Sequence, residues 1–351
     1  MPNFRIINAD VLDGLAQLED ESVQCCITSP PYAMGQRNYM VEGQYGEEQL
    51  HDCLGWAKGE NCGECYICKL RRVFAEVWRV LRPDGTLWLN IGDKFISARG
   101  RHSSKEHSMK QGDHGAARSS GRPDLKHLGY TDGDMALVPQ RIALALQADG
   151  WVIRQLVIWH KSPAMPEPQA VDRPWSEHEH IWLATKQRNY FYNLEEASIP
   201  IQATSQARQQ RARGSNGKNN SAEVIASGYR VHTKDRVAKD RIGGKPTRGY
   251  PNVWKMSPAN STLKHFAMFP EALPERCIKA GSREGDTILD PFCGAGTTLL
   301  VASKLGRNSI GIEINPEYVK LAEARIVAEV GVTAEQAARL DIPAQLRLIG
   351  E

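Results

Sequence analysis

The chain has 351 residues, 41% of them hydrophobic and 24% charged, which is the composition of a globular protein with a sizeable buried core. No apolar run approaches the roughly 20 residues of a membrane span, and the N-terminus lacks the basic-then-apolar pattern of a signal peptide. These features argue against a membrane protein and lead us to expect a cytoplasmic one, whereas the net charge of +3 excludes no class of partner.

The first 200 residues alternate between strand-like and helix-like patterns. Apolar runs predict strands over residues 4–8, 23–28, 86–91 and 151–160. Apolar residues at helical spacing predict helices over residues 11–18, 70–81 and 135–148. A turn is predicted from Arg82 to Gly85. Strands that alternate with helices predict a mostly parallel sheet covered on both faces.

The strand over 23–28 ends at the tetrapeptide Ser29, Pro30, Pro31 and Tyr32. The two prolines make this turn rigid and remove two amide donors, so that carbonyl oxygens remain free to accept hydrogen bonds. Such a turn can direct Ser29 Oγ and a carbonyl oxygen at an incoming amino group, while Tyr32 stacks on a flat heterocycle. Taken alone, the motif is better explained as a proline turn that ends a strand.

Four of the eight cysteines cluster with the spacing C-x8-C-x2-C-x2-C, and these are Cys53, Cys62, Cys65 and Cys68. In a cytosolic chain such a cluster favours a metal site over disulfides, and four thiolates can hold a structural zinc ion. The alternative is a cysteine-rich turn without a metal. The other four cysteines lie in apolar or turn segments and are expected in the core.

Two polar stretches interrupt the pattern. Residues 97–134 are rich in glycine, serine, histidine and basic residues, which predicts a mobile loop. Residues 201–250 contain 11 lysines and arginines against 3 acidic residues, an excess of 8 that would suit an anionic partner such as nucleic acid. Composition alone favours a solvated loop for this segment.

The α/β pattern resumes after residue 260. Predicted helices cover residues 265–280, 297–304 and 316–330. Predicted strands cover residues 287–289 and 309–314. The third block therefore continues the α/β architecture of the first.

The segment from Asp290 to Thr298 (DPFCGAGTT) lies between a predicted strand and a predicted helix, where a glycine turn binds a nucleotide-like ligand. Gly294 and Gly296 would let the backbone approach that ligand, and the helix N-terminus would offer amide donors to a carboxylate. Glu313 ends the next strand, where α/β folds place an acid that binds ribose hydroxyls. The motif lacks the third glycine of the dinucleotide fingerprint, so a dehydrogenase is not expected.

Together, the Ser-Pro-Pro-Tyr turn and the DPFCGAGTT loop resemble the motifs of the DNA amino-methyltransferase family, which methylates cytosine N4 or adenine N6. Here the turn precedes the loop and the basic segment lies between them, an order that resembles the β class of the family. The resemblance implies an α/β, Rossmann-like, S-adenosylmethionine-dependent methyltransferase fold with a target-recognition insertion.

The resemblance also implies a division of the chain. Residues 1–200 would form the catalytic part, with a cysteine-rich insertion at 50–70, and residues 256–330 the cofactor-binding part of the same domain. Residues 200–255 would form the target recognition region, and residues 331–351 a C-terminal tail.

Individual residues receive roles on the same basis. The implied catalytic residues are Ser29, Pro30, Pro31 and Tyr32. The implied cofactor-binding residues are Asp10, Asp290, Pro291, Phe292, Gly294, Gly296, Thr297, Thr298, Glu313 and Asn315. The predicted DNA-binding residues are Arg208, Arg211, Arg213, Lys218 and Lys161. Asp10 has the alternative role of a helix N-cap.

The target base and the rival functions follow from the same turn. Ser29 favours cytosine N4, because adenine enzymes of the family more often carry Asp at this position, and adenine N6 remains open. Methyltransferases of ribosomal RNA or protein glutamine usually carry Asn there and run cofactor loop first, whereas an inactive DNA-binding regulator would not need these residues intact. The implied partner is double-stranded DNA with one base flipped out. A homodimer and a cognate restriction endonuclease are compatible with the resemblance, and no membrane partner is expected.

Overall fold

The computed structural model describes residues 3–33, 43–46, 48, 62–96, 131, 133–163, 172–200, 241–242, 245–259 and 269–331, with 199–200 and 241–249 described by their backbone alone. Most of the loop predicted over 97–134 and of the basic segment lies outside these residues, as does the predicted C-terminal tail. No helix in the described part of the chain is long and apolar enough to cross a membrane.

The main element is an eight-stranded sheet with the strand order β1-β11-β10-β2-β3-β5-β4-β9. Its strands are β1 Phe4–Asn8, β2 Val23–Thr28, β3 Leu81–Ile91, β4 Val152–Lys161, β5 His178–Thr185, β9 Val253–Met256, β10 Thr287–Asp290 and β11 Asn308–Glu313. The five strands from β1 to β3 run parallel, whereas β5 pairs antiparallel with both β3 and β4. At the edge, β9 pairs parallel with β4. The predicted α/β, Rossmann-like class is confirmed.

Helices cover both faces of the sheet. They are α1 Val11–Leu15, α2 Tyr66–Val80, α3 Val138–Ala148, α4 Ala272–Gly281, α5 Thr297–Lys304 and α6 Pro316–Val330. Because side chains alternate along a strand, Leu87 and Leu89 of β3 join a core cluster with α2, whereas Trp88 points to the opposite face. On that face α4 packs closely, since a Cβ on Gly281 would lie 2.5 Å from Thr86 Oγ1.

The connections of β2 and β10 diverge at the middle of the sheet. β2 and β10 are neighbours, but the chain leaves β2 towards β3 on one side and leaves β10 towards β11 on the other. In open α/β sheets a crevice forms outside the carboxyl ends of the strands at such a switch point, and ligands bind there. Ser29 follows β2 and Pro291 follows β10, so the two motifs found in the sequence meet at this crevice.

A second compact unit spans Tyr192–Pro251, and the first comprises Met1–Phe191 with Asn252–Glu351. Within the second unit a three-stranded antiparallel sheet has the order β6-β8-β7, formed by β6 Ser198–Pro200, β7 Arg241–Ile242 and β8 Lys245–Gly249. That residues 200–255 recognise a DNA target stays a prediction.

The structure departs from the sequence predictions at several elements. The turn predicted from Arg82 to Gly85 does not mark the start of the strand, because these residues lie inside β3. They interrupt the regular pairing of β3 with β2. β5 and β9 were not expected, and α3 begins at Val138 rather than at residue 135, because Leu137 has a left-handed φ of 54°. The predicted helix over 265–280 begins at Ala272 within the described residues.

Candidate active site

An open cavity of about 850 Å³ lies at the carboxyl ends of β2, β10 and β11. The cavity lining includes nine residues predicted from the sequence, which are Asp10, Ser29, Pro31, Asp290, Pro291, Phe292, Gly294, Thr297 and Glu313. The serine of the proline turn and the glycine loop, which are more than half the chain apart in sequence, therefore border one cavity.

A buried carboxylate holds the start of the glycine loop. Asp290 Oδ1 accepts hydrogen bonds from Thr28 Oγ1 at 2.8 Å and from the Phe292 amide at 3.2 Å, and its Oδ2 accepts one from Thr298 Oγ1 at 2.7 Å. Burial raises the pKa of Asp290 to about 6, although these hydrogen bonds oppose the rise. Thr298 is fully buried beneath the loop, so its contact is with Asp290. These bonds join β2, β10 and α5.

The loop itself depends on two glycines with positive φ. Gly294 has a φ of 50° and Gly296, the N-cap of α5, has a φ of 74°. A Cβ on Gly296 would lie 2.8 Å from the Cβ of Ala322 on α6, so a larger residue would meet both backbone strain and a clash. The Thr297 hydroxyl accepts a hydrogen bond from Arg325 Nη1 at 2.9 Å, which links α5 to α6.

Glu313 is placed at the cavity by its own neighbours. Its two oxygens accept hydrogen bonds from the Gly294 amide at 2.9 Å and from the Asn315 amide at 2.8 Å. Burial raises the pKa of Glu313 against these two bonds. A carboxylate has about four acceptor positions, so capacity remains for hydroxyl donors in the cavity. Asn315 itself caps α6, because its side chain accepts a hydrogen bond from the Glu317 amide at 2.9 Å.

Asp10 lies at the cavity and is also a helix N-cap. Its carboxylate lines the cavity, and its Oδ1 accepts a hydrogen bond from the Leu12 amide at 2.9 Å as the N-cap of α1. The N-cap bond fixes the carboxylate at the rim of the cavity, because it ties the side chain to the first turn of a helix.

Three aromatic and amide side chains that were not predicted from the sequence also line the cavity, and these are Gln44, Tyr45 and Tyr318. Phe269, which lies in the segment predicted as a helix over 265–280, lines it as well. Tyr45 meets Phe292 edge-on, with ring centroids 5.7 Å apart. Burial raises the pKa of Tyr45 to about 12, so its hydroxyl stays protonated. No local motif marks Tyr45, since only the folded chain brings it beside the glycine loop.

The proline turn is braced from outside the cavity. The Tyr66 hydroxyl on α2 donates a hydrogen bond to the Pro31 carbonyl oxygen at 2.7 Å. The Tyr32 hydroxyl donates one to Glu179 Oε2 at 2.6 Å. Gly92 lies against the Tyr32 ring, because a Cβ there would come within 2.8 Å of it. Both the hydroxyl and the ring of Tyr32 are therefore held in position.

Glu179 on β5 is the centre of a polar cluster beside the turn. Besides Tyr32, it accepts hydrogen bonds from Asn90 Nδ2 at 3.1 Å and from Lys161 Nζ at 2.6 Å. Lys161, which the sequence analysis predicted as a DNA contact, therefore forms an ion pair with a carboxylate whose side chain is 12% exposed. Sequence reasoning missed Glu179 because the antiparallel strand that carries it was not predicted.

Three of the four clustered cysteines come together at the start of α2. The Sγ atoms of Cys62, Cys65 and Cys68 all lie within 4.8 Å of one another. Cys53 lies outside the described residues, so the predicted four-thiolate set is described for three members. Arg208, Arg211, Arg213 and Lys218 also lie outside the described residues, and their DNA-binding role stays a prediction.

Comparison with known proteins agrees with this architecture. A family model described as DNA methylase, N6_N4_Mtase, matches residues 23–324. The Type II methyltransferase M.SmaI of Serratia marcescens is 35% identical over 324 residues, covering 92% of this chain and 90% of that protein. Two solved structures share the fold. One is a DNA modification methylase of Thermus thermophilus complexed with S-adenosyl-L-methionine, with TM-score 0.52, 23% identity and coverage of 95% and 96% of the two chains. The other is the cytosine-N4-specific PvuII DNA methyltransferase, with TM-score 0.56, 18% identity and coverage of 96% and 91%.

Proposed function

This chain belongs to the N6/N4 DNA methylase family, and we propose that it methylates the exocyclic amine of a base flipped out of double-stranded DNA, with cytosine N4 as the target. The observation that carries the proposal is the shared cavity at the switch point of the sheet. There the Ser29 turn and the glycine loop with Glu313 border one space. A reaction between an amine and a cofactor needs both binding motifs on a common cavity.

The cavity suits S-adenosylmethionine, the cofactor of this family. Glu313 offers acceptors for ribose hydroxyls, and Gly294, which lines the cavity without a side chain, lets the loop backbone approach the ligand. Tyr45 and Phe292 supply apolar walls for an aromatic ring. When bound, S-adenosylmethionine supplies a methyl group carried by a positively charged sulfonium.

The Ser29 turn would activate the target amine. An aryl amine is a poor nucleophile because its lone pair is delocalised into the ring. Ser29 Oγ and the Pro30 carbonyl oxygen would accept hydrogen bonds from the amine protons and favour the geometry in which the lone pair is free. Tyr32 would stack on the flipped base. The prolines keep these acceptors rigid, so little reorganisation is needed.

Tyr32 is held for this role by Glu179. Its hydroxyl bond to Glu179 and its ring contact with Gly92 leave the turn little rotational freedom. Asn90 and Lys161 in turn fix the carboxylate. We assign Glu179 as a positioning residue, because it acts through its hydrogen bond to Tyr32.

The choice of base rests on Ser29. The family more often has Asp at this position in adenine enzymes and Ser in cytosine-N4 enzymes, and the tetrapeptide here begins with Ser. The PvuII enzyme, which shares the fold, is cytosine-N4-specific. Adenine N6 is the second candidate, because both amines are aromatic NH₂ groups that need two acceptors.

DNA binding is proposed for the second unit and the segment around it. Its excess of 8 basic residues over residues 201–250 would neutralise phosphates and release counterions. Residues 200–255 would then recognise a short sequence while the catalytic part receives the flipped base.

The test is methyl transfer to double-stranded DNA with labelled S-adenosylmethionine, followed by digestion to nucleosides and mass spectrometry. We expect N4-methylcytosine. Ser29→Ala and Tyr32→Ala should each lower turnover by orders of magnitude while the Kd for the cofactor stays unchanged. Ser22→Ala is the matched control, since the Ser22 hydroxyl bonds to the Glu19 carbonyl oxygen in a turn away from the cavity.

Two results would contradict the proposal. N6-methyladenine without N4-methylcytosine would move the target to adenine. A Ser29→Ala variant that loses cofactor binding but keeps its rate of methyl transfer would show that the turn belongs to the cofactor site.

A further inference from the structure

A cluster of three thiols marks the first turn of α2, outside the cavity. The Sγ atoms of Cys62, Cys65 and Cys68 lie within 4.8 Å of one another, and none of the three forms a disulfide. Cys65 is 5% exposed and Cys68 is fully buried. Among the residues that the structure describes, this is the one place where three metal-ligating groups meet. The fold has thus gathered three soft ligands, two of them buried and Cys62 partly exposed.

The local backbone has the features of a thiolate site. Gly63 adopts a φ of 76°, which lets the chain turn back so that the Cys65 amide donates a hydrogen bond to Cys62 Sγ at 3.4 Å. Cys65 is the N-cap of α2 and makes no side-chain cap hydrogen bond, and Cys68 lies in the first turn. Amide donors and the positive end of a 15-residue helix both stabilise negative sulfur.

A buried arginine lies beside the cluster. Arg71, which is 6% exposed, is in hydrogen-bond contact with Cys68 and forms a two-pronged ion pair with Asp149. Three thiolates carry more negative charge than a divalent ion carries positive charge. A guanidinium in contact with one ligand offsets the excess and fixes the ligand's position, as outer groups commonly do around metal sites.

The cluster connects directly to the catalytic turn. Tyr66 lies between Cys65 and Cys68 in sequence, is fully buried, and donates the hydrogen bond to the Pro31 carbonyl oxygen at 2.7 Å. Ala33, the residue after Tyr32, belongs to the same core cluster as the cysteines. The position of the first turn of α2 therefore sets the position of the hydroxyl that supports the turn.

We propose that Cys62, Cys65 and Cys68 bind a structural zinc ion as thiolates, and that this ion fixes the first turn of α2 so that Tyr66 holds the catalytic turn in place. Zinc prefers sulfur ligands in structural sites, and the described residues supply three of them. The ion takes no part in methyl transfer, because the cysteines are not part of the cavity lining. The metal site is independent of the proposed function, whereas the effect on the turn rests on it.

Metal content tests the site without any activity assay. The full-length protein, purified without added metal, should contain about one zinc per chain by elemental analysis. Cys65→Ser should lose most of it, while Cys277→Ala, a buried cysteine on α4, should keep it. Exchange of the wild-type metal for Co²⁺ should give the visible and near-ultraviolet bands of tetrahedral thiolate coordination. A wild-type protein that contains no zinc and gives no thiolate–cobalt band would overturn the site.

Tyr66→Phe tests the link to the catalytic turn. Loss of one hydrogen bond should lower kcat about fivefold, with unchanged zinc content and unchanged Kd for S-adenosylmethionine. If the ion acts through Tyr66, the same substitution should have little further effect in the Cys65→Ser background. An unchanged kcat in Tyr66→Phe, or fully additive effects in the double variant, would refute the link. A protein without methyltransferase activity would contradict the proposed function. The zinc and cobalt measurements would still decide whether the metal site exists.

Discussion

The hydrogen bond between Thr28 and Asp290 directly connects the strand before the proline turn with the start of the glycine loop. Thr28 Oγ1 donates to Asp290 Oδ1 at 2.8 Å, and the two residues are 0% and 2% exposed. Thr28→Val removes the donor and keeps the shape of the side chain. Thr28→Ser is the matched control, because it keeps the hydroxyl and loses a methyl group.

The magnitude follows from the ionisation of Asp290. A hydrogen bond to a charged group contributes about 1.5–3 kcal/mol and a neutral one about 0.5–1.5 kcal/mol. Burial raises the pKa of Asp290 from 3.8 to about 6, so ionised Asp290 opposes folding. That penalty, about 3 kcal/mol, is absent below the unfolded pKa and complete above the folded pKa. Since the Thr28 bond favours the ionised form, Thr28→Val should raise the pKa further and destabilise most at high pH.

Equilibrium unfolding in urea, monitored by tryptophan fluorescence, measures the free energy of unfolding at about pH 8 and at about pH 5. The free energy of unfolding of Thr28→Val should fall by about 1.5–3 kcal/mol at the higher pH and by roughly half as much at the lower one. The Kd for S-adenosylmethionine should rise, because the start of the loop loses a support. Equal losses at both pH values, or equal losses in Thr28→Ser and Thr28→Val, would refute the reasoning.

Three further predictions test other parts of the site. Gly296→Ala should lower the thermal midpoint and weaken S-adenosylmethionine binding in calorimetry, whereas Gly306→Ala, with a similar φ of 75° away from the cavity, should lower the midpoint alone. Equal Kd values for the cofactor in the two variants would contradict this. Glu179→Gln should lower kcat about 10-fold or more, because the Tyr32 hydroxyl loses a charged acceptor, whereas Glu177→Gln, which changes the neighbouring carboxylate, should leave kcat unchanged. Similar kcat values in both variants would show that Glu179 does not position Tyr32. Reversing the charges of Arg208, Arg211 and Arg213 should weaken DNA binding and reduce the slope of log K against log salt concentration by at least about 2.7. Fluorescence anisotropy measures both, with Lys320→Glu as the control, and an unchanged slope would place the phosphate contacts elsewhere.

Elements with local signals could be predicted from the amino-acid sequence alone. The predicted bounds of β1, β2, α5 and α6 agree with the structure. Each has a short apolar pattern and a marked end, such as the prolines after Thr28 or the Asn315 cap with Pro316 at the start of α6. The glycine loop and Glu313 were identifiable for the same reason, because the strand, turn, helix and acid follow one another along the chain.

Which distant segments meet becomes visible only in the folded chain. Thr28 and Asp290 are 262 positions apart, and Tyr32 and Glu179 are 147 apart. Periodicity predicts that a strand exists but not which strand lies beside it, so the antiparallel position of β5, and with it Glu179, could not be derived from local pattern. Tyr45 at the cavity and Tyr66 against Pro31 depend likewise on contacts formed when helices pack on the sheet. The free energy that stabilises these contacts comes from burying residues that are far apart in sequence, so a short stretch of sequence does not reveal them.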